Sequence, residues 1–477
     1  MQKSANTNQP ASSNGQTLDV IIMAAGLGTR MKSNRAKVLH KLDGRPLISH
    51  VCRAALALKP RTIYVIVGHQ ADEVRSEVET EFTSTTDRIE FVHQDKQRGT
   101  GDAVMAAESA LRGESRTILV LSGDVPLVKP STLTKLIETH GATNAAGTLL
   151  SVRLENPTGY GRVVRNDAGG FFKIVEQKDA SDDERQIREI NAGIYCFEST
   201  RLLEAITQIQ PNNSQGEYYL TDVPAILKSN GDLVTIYQHN DAREVSGINT
   251  RAELAEFENL LRRNTIRRLM IEDGVTFTDP SHAYVSSEAH VGRDCVIHPD
   301  VHIQGKTVIG ENCEINQGSR IVNSRIGNRV TIKDHCVIID SDIADDCAVG
   351  PFAHLRMNAQ MDERAVVGNF VEVKKSRIGR RTKSMHLTYL GDATIGEDTN
   401  IGAGTVTCNY DGKNKNQTII EDHVRIGSDT MLVAPVRVGS GAVTGAGSVV
   451  TEDVPPNTLV AGVPAKVKKK LNKEPKS

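Results

Sequence analysis

A hydrophobic residue recurs at every sixth position in the second half of the chain. A period of six matches neither an α-helix nor a flat strand, whose side-chain periods are 3.6 and 2. It matches a coil with three short sides, and it predicts a parallel β-helix in which one aliphatic side chain per side points inward. A β-sandwich would show a period of two instead. The clearest run is Val285, Val291, Ile297, Ile303, Ile309, Ile315 and Ile321.

The same period continues after Ile321 with small shifts of phase and one long interruption. Residues 408–418 are polar and break the pattern, so we expect them to leave the coil as a loop. Insertions into a solenoid often mark its binding face. The later inward positions are Ile326, Ile332, Ile338, Ile343, Val349, Leu355, Ile378, Ile395, Ile401, Ile426, Leu432, Val438, Thr444 and Val450.

Apolar runs of strand length alternate with helical stretches in the first half of the chain. Residues 18–23, 63–67 and 118–121 are such runs, and residues 46–58 have a helical pattern. The alternation predicts an α/β domain with a parallel, doubly wound sheet and ligands at the carboxyl ends of its strands. Residues 250–272 are rich in helix formers and contain neither Gly nor Pro, which predicts a helix between the two halves.

These patterns divide the chain into an α/β domain over 18–249, a linker helix over 250–272 and a β-helix over 273–465. Residues 1–17 are rich in Asn, Gln, Ser and Thr, and residues 466–477 are rich in Lys. Both ends are expected to be flexible tails. A chain of 477 residues is long enough for this division.

Charge and cysteine content restrict the classes of function. The net charge of −2 and the pI of about 6.7 argue against nucleic acid or a membrane surface as a partner. The seven cysteines are dispersed without CxxC spacing, which predicts buried thiols in a reducing compartment. The sequence contains neither a signal-peptide pattern nor an apolar stretch of about 18 residues, so a cytoplasmic location is expected.

A glycine-rich turn follows the first predicted strand. It reads AAGLG from Ala24 to Gly28 and can point backbone N–H groups at a phosphate, but it fits neither GxGxxG nor GxxxxGK[ST]. Arg30 and Lys37 follow closely, and two cations beside such a turn suit a polyphosphate substrate. The alternative is an ordinary turn with solvated surface charges.

Two later strand ends carry further candidates. Gln94 precedes a second glycine turn at Gly99 and Thr100, and Asp124 follows the strand at 118–121. A carboxylate at the carboxyl end of a strand, beside phosphate-binding turns, is well placed to hold Mg²⁺. The alternative for Asp124 is a turn-capping role.

The order of these motifs resembles the signature of sugar-phosphate nucleotidyltransferases. With the hexapeptide pattern behind them, residues 18 to about 465 resemble the family of bifunctional bacterial UDP-N-acetylglucosamine pyrophosphorylases and glucosamine-1-phosphate N-acetyltransferases. The motifs that carry the resemblance are MAAGLGTRM from Met23, KVLH from Lys37, Gln94, GTG from Gly99, GDVP from Gly123, GYGR from Gly159, IVEQK from Ile174, EINAG from Glu189, GEYYLTD from Gly216 and GIN from Gly247.

The resemblance implies a Rossmann-like nucleotidyltransferase domain followed by a left-handed parallel β-helix, assembled as a homotrimer. It implies acetyl transfer from acetyl-CoA to glucosamine 1-phosphate in the β-helix. The product would then react with UTP and Mg²⁺ in the N-terminal domain to give pyrophosphate and UDP-N-acetylglucosamine, a cell-wall precursor. The alternatives are a nucleotidyltransferase whose β-helix is only structural or regulatory, and a non-enzymatic subunit built on the same two folds.

By the same resemblance, the functional residues of the N-terminal domain fall into three groups. Arg30 and Lys37 would bind the triphosphate, and Asp124 and Asn249 would hold Mg²⁺. UTP and the nucleotide sugar would contact a larger set, of which the Gly161, Glu176 and Asn191 positions would line the sugar pocket. That set is Ala24, Ala25, Gly26, Arg30, Lys37, Gln94, Gly99, Thr100, Gly161, Glu176, Asn191 and Asn249.

In the β-helix, the resemblance makes His386 the general base of acetyl transfer, whereas a single His is otherwise more often structural. A base is needed because an amine with a pKa near 8 is only about one tenth neutral at pH 7. Asn409 would orient His386 or the substrate. Glucosamine 1-phosphate would contact Arg356, Lys374, Tyr389 and Asn400. Acetyl-CoA would contact Ala403, Asn409, Tyr410, Ser428, Ala446 and Lys466.

Several positions depart from the family pattern. Ala36 stands where a proline is usual, which would loosen the loop that follows, and Ser122 stands where a tyrosine is common. Met357 and Asn358 replace a Pro-Gly pair beside the phosphate-binding arginine, so a different local turn is expected there. An arginine that binds the cofactor in some members is missing, and Lys466 is expected to replace it on a phosphate of CoA.

Overall fold

The structure is a computed structural model that describes residues 17–85, 88–113 and 115–470. These residues form two compact units, and the boundary in the sequence falls between Phe257 and Glu258. The predicted N-terminal tail lies outside the described residues, except for Thr17.

The N-terminal unit contains short strands and helices in alternation. Its strands are β1 Leu18–Met23, β2 Lys41–Leu42, β3 Arg45–Pro46, β4 Thr62–Val67, β5 Ile89–His93, β6 Thr117–Ser122, β7 Gly147–Arg153, β8 Arg162–Arg165, β9 Phe171–Val175, β10 Glu189–Glu198 and β11 Val234–Gln238. Its α-helices are α1 Leu47–Leu56, α2 Ala71–Glu81, α3 Thr100–Ala106, α4 Glu108–Leu111, α5 Pro130–Thr143, α6 Asp182–Arg185, α7 Ser199–Ile206 and α8 Val223–Ser229. 3₁₀ turns that lie wholly within the described residues cover Thr29–Met31, Lys37–Leu39, Leu220–Asp222 and Ala242–Val245.

The main sheet of this unit has the strand order β11-β7-β10-β6-β1-β4-β5, and β8 and β9 extend it from β10. As predicted, β6, β1, β4 and β5 are parallel to one another. In contrast, β10 runs antiparallel to β6, β7 and β8, and β8 is antiparallel to β9. The predicted α/β domain is confirmed, with a parallel centre, but the antiparallel strands β8, β9 and β10 make the sheet mixed. Only five residues join β8 to β9, and a parallel crossover needs a dozen or more.

Both faces of the central strands are buried. Val20 and Ile22 of β1 face one hydrophobic core, and Ile21 faces the other. Strands buried on both faces have continuous apolar sequences rather than alternating ones, as β1, β4 and β6 do. Met23 pairs in register with Ser122, so the turns that follow β1 and β6 lie at the same edge of the sheet.

A long helix, α9 Arg251–Ile271, occupies the segment predicted as a linker helix. Its last turns belong to the C-terminal unit, where Ile266 and Leu269 pack into the hydrophobic core. The Arg262 guanidinium lies 4.9 Å from the centre of the Tyr284 ring and donates to the carbonyl of Ala283 at 3.3 Å. These contacts fix the end of the helix against the first coil that follows it.

The C-terminal unit is a three-sided parallel β-helix, in which successive strands belong in turn to three sheets. Ile303 pairs in register with Ile321, and Ile321 with Ile338, so one coil takes 18 or 17 residues. The strands are β12 Thr276–Phe277, β13 Tyr284–Val285, β14 His290–Val291, β15 Val296–Ile297, β16 His302–Gln304, β17 Val308–Ile309, β18 Glu314–Ile315, β19 Arg320–Val322, β20 Arg325–Ile326, β21 Thr331–Ile332, β22 Val337–Ile339, β23 Asp342–Ile343, β24 Ala348–Val349, β25 His354–Arg356, β26 Gln360–Met361, β27 Val366–Asn369, β28 Glu372–Lys374, β29 Arg377–Ile378, β30 Lys383–His386, β31 Tyr389–Gly391, β32 Ala393–Ile395, β33 Asn400–Ile401, β34 Val406–Cys408, β35 Thr418–Ile420, β36 Arg425–Ile426, β37 Met431–Val433, β38 Val436–Val438, β39 Val443–Thr444, β40 Val449–Val450, β41 Thr458–Ala461 and β42 Lys466–Lys470.

The positions of the six-residue period form the dry core of this prism. Every member of the period, from Val285 to Val450, is at most 5% exposed. The prediction of inward-pointing aliphatic residues is therefore confirmed. The loop expected over 408–418 is present: residues 409–417 leave the coil between β34 and β35, whereas Cys408 and Thr418 remain in those strands. The loop is closed by an antiparallel bridge between Tyr410 and Lys415.

One corner of the β-helix carries a series of predicted site residues. The members of this corner column are Asn369, His386, Ala403, Ser428 and Ala446. On each coil the backbone N–H that follows one member donates to the carbonyl of the member on the coil before. The donors are the backbone N–H groups of Leu387, Gly404, Asp429 and Gly447, at 3.0, 3.4, 2.7 and 2.8 Å.

Beside the corner column, aromatic side chains stack on the surface. The aromatic ladder consists of His335, Phe352 and Phe370, with ring centres 5.2 and 5.3 Å apart. Phe352 and Phe370 are 48% and 55% exposed, and Leu387 on the next coil is 64% exposed. The ladder therefore leaves a contiguous apolar strip open on a single chain.

The last described strand differs from the sequence prediction. Residues 466–470 were placed in a flexible tail, but β42 pairs antiparallel with β41. Its five side chains are all exposed, so the strand depends on backbone hydrogen bonds and not on burial. Residues 471–477 of the predicted tail lie outside the described residues.

The seven cysteines all fall in the described part of the chain, and each is a free thiol. Six are buried, as predicted, and Cys408 is half-buried. Among the described helices, none has both the length and the apolar character needed to cross a membrane.

Candidate active sites

The glycine-rich turn after β1 is shaped by close backbone packing. Gly28 has a φ of +62°, and a Cβ atom there would lie 2.5 Å from Cβ of Lys37, so only glycine fits. Ala24 and Ala25 are buried, whereas nothing lies within 4 Å of the position that a Cβ atom on Gly26 would take. The turn is thus fixed on its inner side and open on its outer side.

Four predicted residues of the nucleotide site meet at this edge of the sheet. Arg30 donates from Nη2 to Oδ1 of Asn249 at 2.7 Å, and Lys37 donates from Nζ to the same oxygen at 3.1 Å. The Lys37 ammonium also bonds the carboxylate of Asp124. Ser122 donates from Oγ to the other oxygen of Asp124 at 2.6 Å. Residues more than 200 positions apart in sequence therefore form one polar group.

The charge of Asp124 is maintained in a buried position. Burial alone would raise the pKa of Asp124, but the Lys37 ammonium and the Ser122 hydroxyl stabilise the carboxylate and hold its pKa below the usual range. Carboxylate and amide oxygens are ligands that Mg²⁺ prefers. The Lys37 ammonium is bonded to both Asp124 and Asn249, so their oxygens already converge on one cation. This arrangement fits a divalent metal ion.

The second glycine turn is equally constrained. Gly99 has a φ of +118°, and a Cβ atom there would lie 2.4 Å from the carbonyl oxygen of Tyr218. Thr100 begins α3, and its hydroxyl oxygen accepts the backbone N–H of Leu220 at 3.0 Å. Gln94 is buried and donates to Oδ2 of Asp102 at 2.7 Å. The predicted UTP-binding residues Gln94, Gly99 and Thr100 therefore lie at the end of β5 and at the start of α3.

The predicted sugar-binding residues also lie together. The backbone N–H of Asn191 donates to the carbonyl of Gly161 at 2.9 Å, and its side chain donates to the hydroxyl of Tyr195 at 2.6 Å. A Cβ atom on Gly161 would lie 3.2 Å from a carboxylate oxygen of Glu176. Burial raises the pKa of Glu176, although a hydrogen bond with Thr221 opposes the shift.

Two departures from the family pattern have visible contacts. Ala36 has a φ of −54°, which a proline would also adopt, but its backbone N–H donates to Oε1 of Gln70 at 2.5 Å. A proline could not make that bond. Ser122 contacts the carboxylate of Asp124, a role that its position in the sequence did not reveal. The Lys37 loop is thus held by Gln70 instead of by a proline ring.

In the β-helix, the predicted general base has a partner that the sequence interpretation missed. Nδ1 of His386 lies 2.5 Å from Oδ1 of Asn369, and the two residues pair in register on neighbouring strands. Asn409, which was expected to orient His386 or the substrate, donates instead to Oδ2 of Asp392 at 2.5 Å. Within one chain, Asn369 and not Asn409 contacts the base.

A group of cations lies near the C-terminal end of β31, the strand that follows His386. Arg356 and Lys374 pair in register on neighbouring coils, and Arg356 donates from Nε to Glu372 at 2.7 Å. Lys374 is buried to 5% exposure, and its Nζ lies 3.7 Å from Oδ2 of Asp392. The structure adds Lys415, a loop residue that lies close to Lys374. The neighbouring Lys374 ammonium lowers the pKa of Lys415. Such crowding of cations favours an anionic ligand.

Tyr389 lies on the same face as these cations. It pairs in register with Glu372, and its ring lies across Gly391, where a Cβ atom would be 2.3 Å from the phenol oxygen. In contrast, Asn400 is exposed on β33, which belongs to a different sheet. The structure therefore brings Tyr389, but not Asn400, to Arg356 and Lys374 within one chain.

The remaining acetyl-CoA candidates lie along the corner column and beyond it. Ala403, Ser428 and Ala446 follow His386 on successive coils, so small side chains border the base on one side. Lys466 pairs with Ala461, whose Cβ faces Gly445 next to Ala446. Tyr410 is 61% exposed on the loop, and its hydroxyl donates to the carbonyl of Gly412 at 2.7 Å.

The turn beside Arg356 differs from a Pro-Gly turn, as expected. Met357 and Asn358 both have positive φ values, of 55° and 61°. The Arg356 guanidinium contacts the sulfur of Met357 at 3.3 Å. The turn therefore adds a thioether contact to the arginine.

The fold and the two polar groups define a class of protein: a nucleotidyltransferase domain joined to a hexapeptide-repeat transferase. Comparison with protein families agrees. A model described as "Nucleotidyl transferase" matches residues 19–242, one described as "GMPPB C-terminal domain" matches residues 280–378, and one described as "Bacterial transferase hexapeptide (six repeats)" matches residues 417–452.

Curated relatives extend over nearly the whole chain. The bifunctional protein GlmU of Heliobacterium modesticaldum is 49% identical over 439 residues, which are 92% of this chain and 94% of the relative. GlmU proteins of a Geobacillus species and of Syntrophomonas wolfei are 47% and 46% identical, with 92% and 93% of this chain covered and 94% and 96% of each relative. The chain belongs to the GlmU family of bifunctional enzymes.

Family membership confirms the resemblance drawn from the motifs. The chain is a bifunctional enzyme that combines the UDP-N-acetylglucosamine pyrophosphorylase and glucosamine-1-phosphate N-acetyltransferase activities of this family. The alternatives of a monofunctional nucleotidyltransferase and of a non-enzymatic subunit are not supported.

Proposed function

We propose that the group formed by Arg30, Lys37, Asp124 and Asn249 carries out uridylyl transfer. The observation that supports this assignment best is the convergence of two cations, one carboxylate and one amide oxygen beside the open Gly26 turn. A triphosphate needs charge neutralisation and fixed geometry before its α-phosphorus can be attacked.

The chemistry of this step needs no general base. The phosphate oxygen of N-acetylglucosamine 1-phosphate is already an anion; it forms a bond to the α-phosphorus of UTP while the bond to pyrophosphate breaks. Arg30 and Lys37 would hold the triphosphate, and Gly161, Glu176 and Asn191 would orient the sugar. Mg²⁺, held by Asp124 and Asn249, would neutralise phosphate charge when bound.

The β-helix would transfer the acetyl group, with His386 as base. Its free Nε2 would take a proton from the amine of glucosamine 1-phosphate as the nitrogen bonds to the thioester carbon. The carbon–sulfur bond then breaks, and CoA leaves as a thiol after it gains a proton. Arg356, Lys374 and Lys415 would bind the sugar phosphate, Arg356 as a planar fork and the lysines as point charges.

The cofactor is proposed to lie along the corner column. Ala403, Ser428 and Ala446 present little bulk there, and the Ala403 N–H or the Ser428 hydroxyl could donate to the developing oxyanion. Lys466 on β42 would contact a phosphate of CoA. The loop residues Asn409 and Tyr410 would approach from the adjacent face.

The assembly is proposed to be a homotrimer in the cytoplasm. Hexapeptide-repeat β-helices typically form trimers, and the exposed aromatic ladder is an apolar strip of the kind that a second copy covers. Asn400, exposed on another sheet, would then complete the sugar site of a neighbouring copy. Seven free thiols suit a reducing compartment.

Two single substitutions test the division of labour. His386→Ala is expected to lower acetyl transfer by about 10²- to 10⁴-fold and to leave uridylyl transfer unchanged, because a positioned base contributes roughly that much. Asp124→Ala is expected to do the reverse. Each reaction is assayed with acetyl-CoA, glucosamine 1-phosphate, UTP and Mg²⁺ supplied and then omitted one at a time. Retention of acetyl transfer by His386→Ala would overturn the role of His386, and retention of uridylyl transfer by Asp124→Ala that of Asp124.

A further inference from the structure

The contact between His386 and Asn369 is fixed by the coil itself. Asn369 lies on β27 and His386 on β30, and the two are register partners. The backbone N–H of Leu387 donates to the carbonyl of Asn369 at 3.0 Å, which holds the two corner turns together. The side-chain contact, 2.5 Å from Nδ1 to Oδ1, is therefore set by adjacent rungs of the sheet.

The identity of the contacting atoms determines the proton positions on the imidazole. An amide oxygen can only accept a hydrogen bond, so Nδ1 must carry the proton. In a neutral imidazole the other nitrogen, Nε2, then has a free lone pair. A general base that takes a proton from an amine needs that free lone pair.

Asn369 also fixes the direction of an exposed side chain. His386 is exposed, so its ring would otherwise rotate among several rotamers. The corner positions on the coils before and after it hold Asn369 and Ala403, both uncharged. The only charged side chain on its own strand is Lys383, which pairs in register with Val366 and Asn400. The contact therefore orients the ring without adding a negative charge that would favour the imidazolium.

We propose that Asn369 is the positioning residue of the acetyl-transfer site, whose side-chain oxygen holds His386 with Nδ1 protonated and Nε2 free for the substrate amine. This inference rests on the proposed role of His386. It also gives Asn409 a separate place, because the Asn409 amide is bonded to Asp392 beside Lys374. Asn369 thus orients the base, and Asn409 lies beside the residues proposed to bind phosphate.

Two substitutions at position 369 separate orientation from structure. Asn369→Ala removes the acceptor but keeps the backbone contact with Leu387. We expect kcat for acetyl transfer to fall about 10-fold or more, since correct placement of a base is worth much of its 10²- to 10⁴-fold effect. KM for glucosamine 1-phosphate and for acetyl-CoA should stay within about twofold, because the phosphate and cofactor contacts are untouched.

Asn369→Asp keeps an acceptor in the same place and adds a negative charge. The carboxylate stabilises the imidazolium form, so the acid limb of the pH–rate profile should move to higher pH, by about one unit. At the alkaline plateau, kcat should return to within about threefold of the unmodified enzyme, because the tautomer is preserved. A residue with only a structural role would not move the acid limb in this way.

The experiment uses the full-length protein, with kcat and KM measured between about pH 6 and pH 9, the range in which such limbs are seen. Gln317→Ala is the matched control, because Gln317 occupies the same corner three coils earlier and its carbonyl accepts the backbone N–H of His335 at 2.9 Å. It should leave kcat and the profile unchanged. His386→Ala is the reference for loss of the base.

The possible results are distinguishable. If His386→Ala is inactive but Asn369→Ala keeps normal kcat, this inference fails and the role of His386 stands. If Asn369→Asp is as slow as Asn369→Ala at every pH, the amide contact has the opposite polarity and the inference fails as well. If His386→Ala keeps acetyl transfer, the proposed function of the site fails first.

Discussion

The Lys37 ammonium bonds the carboxylate of Asp124 across 87 positions of sequence, and it also bonds Oδ1 of Asn249 at 3.1 Å. The two side chains of the ion pair are only 17% and 12% exposed. A cation from the protein thus lies where two oxygens converge. Asp124 and Asn249 would hold Mg²⁺ with these oxygens, and the Lys37 ammonium would then be available to bind phosphate.

Lys37→Met should destabilise the N-terminal unit and make its stability depend on Mg²⁺. Removal of one partner from a buried pair leaves an unpaired charge and typically costs about 3–5 kcal/mol; partial exposure brings our expectation to about 2 kcal/mol at pH 7. Since the pKa of Asp124 is held low, the stabilisation by the pair is present above the unfolded value of about 4 and is lost as pH falls through the folded value.

The measurement is calorimetry of the full-length protein at about pH 7 and pH 4, with and without Mg²⁺. The deficit of Lys37→Met should shrink at the lower pH and on addition of Mg²⁺. Lys41→Met, which changes an exposed lysine on β2, is the control. An equal deficit at both pH values would contradict the prediction.

Ser122→Ala should weaken the response of uridylyl transfer to Mg²⁺. The hydroxyl donates to Asp124 at 2.6 Å and so orients the carboxylate. Loss of such an orienting partner typically costs 10- to 100-fold in metal affinity, and we expect the half-saturating Mg²⁺ concentration to rise about 10-fold. Acetyl transfer should not change. An unaltered Mg²⁺ titration would show that Ser122 does not orient the carboxylate.

Gly99→Ala should disable the nucleotide site without affecting the β-helix. The added Cβ would meet the Tyr218 carbonyl at 2.4 Å, and the φ of +118° adds strain of about 1–3 kcal/mol. KM for UTP should rise at least about 10-fold, the equivalent of 1.4 kcal/mol.

Gly113→Ala provides a matched control for the Gly99 substitution. Gly113 has a similar φ of +128°, but the nearest atom to its Cβ position is the end of the Arg116 side chain at 3.3 Å. The Gly113→Ala variant should show a similar backbone strain without a rise of KM for UTP. Equal KM values for the two variants would assign the effect to backbone strain alone.

Glu176→Gln should stabilise the N-terminal unit at pH 7 while it weakens sugar binding. Burial raises the pKa of Glu176, so the folded state disfavours the carboxylate and loses stability as pH rises above the unfolded value. The stabilisation should vanish below about pH 4, where the carboxyl group is protonated in both states. Chemical denaturation at the two pH values measures it, with Glu155→Gln at an exposed position as control. A stabilisation that persists at low pH would refute the electrostatic explanation.

Phe370→Glu should disrupt the proposed trimer and acetyl transfer together. The substitution places a charge at the end of the aromatic ladder, where Phe370 is 55% exposed in one chain. Light scattering should show a shift from trimer to monomer, and uridylyl transfer should remain. Phe172→Glu is the matched control, because Phe172 is 51% exposed in the N-terminal unit. A trimer that survives Phe370→Glu would place the interface elsewhere.

The β-helix could be predicted from sequence because one constraint dominates it. Each inward position must hold a side chain that stacks in the dry core, so the period-six pattern correctly predicts the burial of every member of the period, including Thr444. The pattern assigns no inward position between Leu355 and Ile378, so it does not fix the coil length there. It therefore could not pair His386 with Asn369, although counting 17 residues back from His386 gives the partner.

Contacts between side chains from different elements were harder to predict. Ser122 was interpreted as a departure from a pattern, and only the geometry of the turn shows its bond to Asp124. Lys415 lies in a polar loop whose path the sequence does not determine, so its approach to Lys374 was missed. The Lys-rich sequence of β42 predicts a solvated tail, because burial gives no signal for a strand that is held only by backbone hydrogen bonds.

With acetyl-CoA along the corner column, as we propose, the column would also set a length scale for the acetyl donor. Each coil advances by about 4.8 Å, the spacing of neighbouring strands, so the three coils from His386 to Ala446 span about 14 Å. The length of a linear cofactor arm along this corner can therefore be compared with a whole number of coils. An arm that is one coil shorter would bring its acyl carbon only to Ala403, and an arm that is one coil longer would bring it to Asn369, instead of to His386. The β-helix would therefore select its donor by reach as well as by chemical recognition.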